Sequence, residues 1–180
     1  FFYGGNVFFD VDTEANTRTS IGAELKATPF SLTANRYIKI SGANTVGSFT
    51  ERTLDGYDLI LTGQVPFMPW ANINFTSYQW DKIKNSKDSK GNKISGEFIV
   101  TKNIIFEMGV DDNDISGSDD FFILSYVWPG IEKQSLVDGI IEKEAFKDSN
   151  VENQMLTKIR RNNRIVLEVE GAGVTISRLD

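Results

Sequence analysis

Polar and apolar side chains alternate along the stretch ERTLDGYDLILTGQVPFMPWANINFTSYQWDK, Glu51 to Lys82. From Gly56 to Val65, Tyr57, Leu59, Leu61 and Val65 fall in one phase, and Asp58, Thr62 and Gln64 in the other. After Pro66 to Trp70 the alternation resumes, with Ala71, Ile73 and Phe75 against Asn72, Asn74 and Thr76. A strand sends successive side chains to opposite faces, so the stretch predicts two strands around a tight, aromatic-flanked turn, each with one apolar and one wet face. Such a sheet has two homes. In a soluble sandwich or barrel the apolar face is the interior; in an outer-membrane barrel it is the exterior, against lipid.

The same period runs through most of the chain. Phe1 to Asp12 sets Val7, Phe9 and Val11 against Asn6, Asp10 and Asp12, with a polar turn at Thr13 to Asn16. Thr17 to Ala27 sets Ile21, Ala23 and Leu25 against Arg18, Ser20, Glu24 and Lys26. Thr28-Pro29 makes a turn, because proline fixes φ and cannot donate to a ladder. Phe30 to Ser41 sets Phe30, Leu32, Ala34, Ile38 and Ile40 against Ser31, Thr33, Asn35, Tyr37 and Lys39. Arg36 falls in its apolar phase, where it must either snorkel or sit at a bulge. Further strands are expected at Lys93 to Thr101, Ile104 to Asp111 and Asp119 to Trp128, the last the least regular. Gly42 to Leu54 and Asp81 to Asn92 read as long polar loops.

The connections add a second regularity. Thr28-Pro29, Pro66 to Trp70 and Lys102-Asn103 are short, whereas those after Asp12, Gly42, Asp81 and Asp111 are mostly longer and polar. A meander places alternate connections at opposite ends, and outer-membrane barrels have short turns at one end and long loops at the other. Phe30, Phe67, Trp70, Tyr78, Trp80, Tyr126 and Trp128 gather near strand ends, as interfacial girdles do. Beyond Pro129-Gly130 the period is lost. Ser149 or Asn150 can cap a short helix through about Arg161, with Lys158, Arg160 and Arg161 at its end, where cations suit the dipole. Arg164 to Glu170 reads as extended.

Composition narrows the function classes. Cysteine and histidine are absent, so there is no disulfide framework and neither the usual general base nor the commonest metal ligand. The net charge of −6 argues against nucleic acid as a partner. No apolar run approaches the roughly 20 residues of a membrane helix, which leaves a membrane barrel open. Asp111, Asp112 and Asp114 lack the glycine and distal glutamate of an EF-hand loop, and Asp119-Asp120 reads as a loop end. No enzyme activity, cofactor or metal is therefore expected. A soluble barrel binding an apolar small molecule and a simple pore remain as alternatives, although a porin normally ends at its last strand.

The stretches GGNVFFDVD, TRTSIGAELKA, ANRYIKISG, ERTLDGYDLILTGQVP and KIRRNNRIVLE, in this order, resemble the translocator domain of the intimin/invasin family, the inverse autotransporters. The resemblance implies an all-β, transmembrane, antiparallel up-and-down β-barrel. The family's barrel has twelve strands, and the eight here look like strands 5–12, so a piece of a longer protein is expected. It further implies three segments: 1–129 a partial barrel, 130–170 a linker threading the pore, and 171–180 the start of a passenger. Eight strands leave a closed barrel room only for side chains. The isolated piece should then stay an open sheet, or close with the linker expelled.

The implied function is to anchor, secrete and display a C-terminal adhesin in the bacterial outer membrane. The implied partners are membrane lipid, the chain's own passenger, the barrel-assembly machinery and periplasmic chaperones, and a host or surface receptor reached through the passenger. On this reading Asp10, Asp12, Glu24, Asp58, Glu97 and Glu107 face a mostly acidic lumen, although Lys26 and Lys39 face it too. Lys158, Arg160, Arg161 and Arg164 of the linker would hold the plug there, with Asp58, Glu97 and Glu107 as wall contacts.

Overall fold

The computed structural model describes residues 1–84, 87–131, 133–146, 159–171 and 174–178, the last five by backbone alone. Ten strands come first: β1 (Phe2–Val11), β2 (Thr17–Ala27), β3 (Phe30–Lys39), β4 (Ala43–Val46), β5 (Phe49–Thr53), β6 (Asp55–Val65), β7 (Met68–Asp81), β8 (Ser89–Thr101), β9 (Ile104–Asn113) and β10 (Gly117–Tyr126). Two follow near the C-terminus, β11 (Leu167–Gly171) and β12 (Val174–Arg178). Eight of them form one antiparallel up-and-down sheet in the order β1-β2-β3-β6-β7-β8-β9-β10. Among the described residues, β1 pairs only with β2 and β10 only with β9, so the sheet curls without closing. Hydrocarbon does not tolerate bare backbone donors and acceptors, so in a membrane both edges require a strand partner.

The side-chain phase settles which face is which. Leu59, Leu61 and Phe75 are 45%, 47% and 42% exposed, while Asp58, in the opposite phase of the same strand as Leu59, is 4% exposed. The same inversion runs across the sheet: Val7, Phe9, Ile21, Ile73, Ile94, Met108 and Val110 face out, and Arg18, Glu24, Asn35, Thr62, Asn72, Asn74 and Ser95 are buried on the concave side. A soluble ligand-binding barrel requires the opposite arrangement, and that alternative falls. Ile60 is an apolar residue in the inward phase, buried between Asp58 and Thr62.

The apolar core consists of two small collars rather than a central layer. Trp70, Ala71 and Ile99, with Met68, Phe98 and Leu136 against them, form one at the short-turn end. Tyr37, Leu54, Tyr78, Trp80 and Val166 form the other at the long-connection end. Three of the aromatics expected in an outer girdle, Trp70, Tyr78 and Trp80, thus point inward. Their phase along β7 is that of Asn72 and Asn74, so the strand's period places them inside. The exposed belt keeps Phe1, Tyr3, Phe30, Phe67, Tyr126 and Trp128 at the short-turn end.

Three expectations change. Gly42 to Leu54 is not a plain loop but carries the hairpin β4–β5. The connection after β9 shrinks, because β9 runs on to Asn113 and β10 starts at Gly117. Asp12 belongs to the β1–β2 turn, where its carboxylate accepts the N–H groups of Glu14 and Asn16, rather than to the lumen wall. Arg36 stays in the outward phase and reaches Asp81 at the end of β7, 3.4 Å away, as a snorkelling side chain would. The expected helix lies outside the described residues through Lys158, and Ile159 to Arg161 makes no helical turn.

An arginine placed at Leu61 meets lipid, and the cost is about 2–4 kcal/mol near the midplane. The variant L61R should lower the fraction of protein that assembles as a heat-modifiable species on gels. T62S, one residue on and inward, keeps the hydroxyl that Thr62 donates to Asn74 and should assemble normally.

Candidate functional site

The lumen is occupied by the chain's own tail, of which residues 133–146 and 159–171 are described. Beyond β10, residues 127–131 and 133–146 lie at the short-turn mouth. The Ile131 N–H donates to the Lys102 carbonyl at 2.7 Å, the Phe67 N–H to Ala145 at 2.8 Å, and the Trp70 indole N–H to Ile140 at 2.9 Å. A short 3-10 turn, Leu136–Asp138, sits there with Ser135 and Asp138 capping one another.

Ile159 to Val166 crosses the concave face. Arg160 Nη2 meets Glu97 Oε1 at 2.7 Å, and its carbonyl accepts from Asn35 at 3.0 Å. Arg161 forks onto Asp10 with contacts of 2.8 and 2.7 Å, a bidentate pair that fixes angle as well as distance. Its guanidinium also stacks over the Phe8 ring at 4.1 Å. Asp10 takes a second guanidinium from Arg18, which is fully buried, at 2.9 Å. Arg18 in turn donates to the Asn162 carbonyl at 2.8 Å and covers the Tyr37 ring at 4.4 Å. The Asn162 N–H donates to the Tyr37 hydroxyl at 2.7 Å, and that hydroxyl donates to Asp58 at 2.7 Å. Both backbone groups of Asn162 are thus held by the wall.

Of the residues named from sequence, Arg160 and Glu97 meet directly. Among the described residues Asp58 touches no linker cation: it is buried, takes Asn35 and Tyr37, and acts on the tail through the Tyr37 hydroxyl. Glu107 bonds Ser95 and Asn74 within the wall. Arg164 is exposed, with its N–H on the Asn162 side chain. Lys158 lies outside the described residues. Lys26 turns inward but is answered by Glu24 at 3.1 Å, and Lys39 sits at the rim with Asp55 at 3.6 Å. Sequence reasoning missed Arg18, Tyr37 and Asn35 as tail contacts, although all three fall in the inward phase of their strands. Nothing local in the sequence marks the pinning of Asn162, since it uses backbone atoms.

At the long-connection end Val166 enters the collar of Leu54, Tyr37, Tyr78 and Trp80, and its carbonyl accepts the Leu54 N–H at 3.0 Å. The tail then pairs as β11 with β5. Lys82 lies beside this exit; burial pushes its ammonium below the usual lysine range, and Glu168, Asp114 and Asp88 oppose that shift. Among the described residues no cluster of carboxylates could hold a metal ion. The arrangement holds an extended stretch of the chain's own tail against a polar wall.

Asp10 carries two guanidiniums in a shielded site, whereas Asp55 carries Lys39 at a wet rim. Removing one partner of a shielded pair costs about 3–5 kcal/mol, and of an exposed pair roughly 0–1 kcal/mol. D10N should therefore lower the denaturation midpoint in detergent far more than D55N, as read by intrinsic fluorescence.

Comparison with known proteins agrees with this architecture. The family described as "Inverse autotransporter, beta-domain" matches residues 1–163. A curated protein of Escherichia coli (strain K12), a putative attaching and effacing protein homolog, is 30% identical over 108 residues, 54% of this chain. The chain spans 37% of that relative's length. A solved structure from work on the in-meso crystallization of membrane proteins superposes with a TM-score of 0.72, covering 93% of this chain and 74% of that one. At 20% identity that likeness speaks for the fold. Inverse autotransporter β-domains are outer-membrane β-barrels of Gram-negative bacteria with a translocator role, and they are not an enzyme family. The chain belongs to the inverse autotransporter β-domain family and is an outer-membrane translocator sheet.

Proposed function

We propose that this chain anchors, exports and displays a C-terminal adhesin passenger. In that division of labour 1–129 is the membrane-embedded part, 130–170 the linker that threads it, and 171–180 the start of the passenger. The observation that carries the reading is the tail in the lumen: Asn162 held on both backbone groups, Arg161 forked onto Asp10, and the strand β11 beginning where the lumen ends. A simple pore gains nothing from such an occupant. The name of the Escherichia coli relative, an attaching and effacing protein homolog, supports a surface-adhesion role.

In this reading Arg160 and Arg161 hold the linker as a plug, and partial dehydration of the lumen strengthens their pairing with Glu97 and Asp10. The lipid-facing sheet is delivered by periplasmic chaperones and inserted by the barrel-assembly machinery. Receptor contact is left to the passenger, outside the sheet.

Two experiments test the reading. An epitope placed beyond Asp180 in the intact protein should be accessible to antibody and to added protease on whole cells; a tag found only in the periplasm contradicts export. The double variant R160E/R161E should open the plug, raising single-channel conductance in planar bilayers and reducing surface display. Unchanged conductance and display would remove the two arginines from the mechanism.

A further inference from the structure

Outside the large sheet lies a second one, in the order β12-β11-β5-β4. Its β4–β5 half is a hairpin in the connection between β3 and β6, and its other half is the tail just after it leaves the lumen. The hairpin is tied to the rim without help from the tail. Asn16, fully buried in the β1–β2 turn, donates to Glu51 at 2.8 Å and accepts from Asn44 at 2.8 Å. The Thr53 and Ser41 hydroxyls lie 3.0 Å apart. The far edge of β5 is therefore a fixed row of backbone donors and acceptors, the kind of edge to which another strand adds.

The tail fills that edge in one register. Leu167, Glu168, Val169 and Glu170 face Thr53, Arg52, Glu51 and Thr50. Because the Leu54 N–H already bonds the Val166 carbonyl, antiparallel alternation directs the Arg52 and Thr50 N–H groups to β11 as well. Two side-chain locks fix the fit. Glu168, fully buried, accepts the Ile83 N–H at 3.0 Å and the Lys84 N–H at 3.1 Å, and Arg52 reaches Glu170 at 2.8 Å. A slip of one residue would turn Glu168 to the other face and lose both N–H partners. β12 then pairs with β11, so this sheet grows outward in chain order from the hairpin.

We propose that the hairpin Ala43–Thr53 is a β-template for the exported chain. It receives the segment leaving the lumen, sets the register of its first strand and resists its sliding back. This deepens the export reading above and rests on it. The first paired structure outside the membrane is then built on the barrel's own hairpin, with Leu54 and Val166 closing the collar beneath it. The occupant is this chain's own 167–170, and the recognition is backbone pairing plus one carboxylate held by two amides.

The test uses the intact, tagged protein in cells. The chain contains no cysteine, so the pair T53C/L167C offers a clean cross-link. It should form spontaneously once the tag is on the surface and shift mobility on non-reducing gels, whereas neither single variant should shift. The variant T50P/R52P removes the two directed N–H groups; it should slow surface appearance of the tag several-fold in a pulse-chase while heat-modifiable mobility stays normal. N16A/N44A, which loosens the hairpin without touching the ladder, should slow it in the same direction. Wild-type export kinetics in both variants, or no cross-link in protein whose tag is exposed, overturns the template. A tag that stays periplasmic in the unaltered protein counts instead against the export reading, so the two failures are distinguishable.

Discussion

Hydrocarbon admits no unpaired backbone donor or acceptor and no unanswered charge, and everything else in this molecule follows from satisfying that constraint. Pairing in an up-and-down meander answers the backbone except at the outer edges of β1 and β10. Alternation then sorts the side chains, apolar to the outside and polar to the concave face. The polar face cannot pack like a protein core, because it is made of Arg18, Glu24, Asn35, Asp58, Asn72 and Asn74. It needs partners that hydrogen-bond: the wall supplies many of them itself, and the tail adds those of Arg18 and Asn35.

The lumen therefore works as a surface complementary to an extended backbone. A guanidinium–carboxylate fork at Asp10 and a single ion pair at Glu97 supply strength, and the Tyr37 hydroxyl and Arg18 supply position. The two apolar collars close either end around this wet middle, one of them completed by Val166 from the tail itself. Contacts made to backbone atoms and by multiply bonded charges hold one register, while the exposed rim pairs, such as Lys39–Asp55, add little.

Much of this was legible in the sequence because the period of two is a strong signal. The eight strands of the large sheet and most of their turns follow from alternation, which also sets Leu59, Leu61 and Phe75 on one face; that this face points outward came from the connection lengths and the family resemblance, not from alternation. Trp70, Tyr78 and Trp80 were misplaced because residue type was weighed over phase: tryptophan suits a girdle, yet β7 carries these three in step with Asn72 and Asn74. The hairpin β4–β5 was hidden because its strands are short and polar on both faces, where alternation carries no information. The pairing of Arg160 with Glu97 could be guessed from charge, but that of Arg161 with Asp10 and Arg18 depends on curling β1 and β2 toward the tail. The anchoring of Asn162 depends on backbone atoms and has no side-chain signature.

The most direct test is a paramagnetic accessibility scan of single nitroxide labels along Tyr57 to Val65 in lipid. The account predicts maxima of oxygen accessibility at positions 57, 59 and 61, with positions 58, 60 and 62 shielded from oxygen by the occupied lumen. Oxygen maxima at 58, 60 and 62, with 59 and 61 reached by a water-soluble nickel reagent instead, would contradict it.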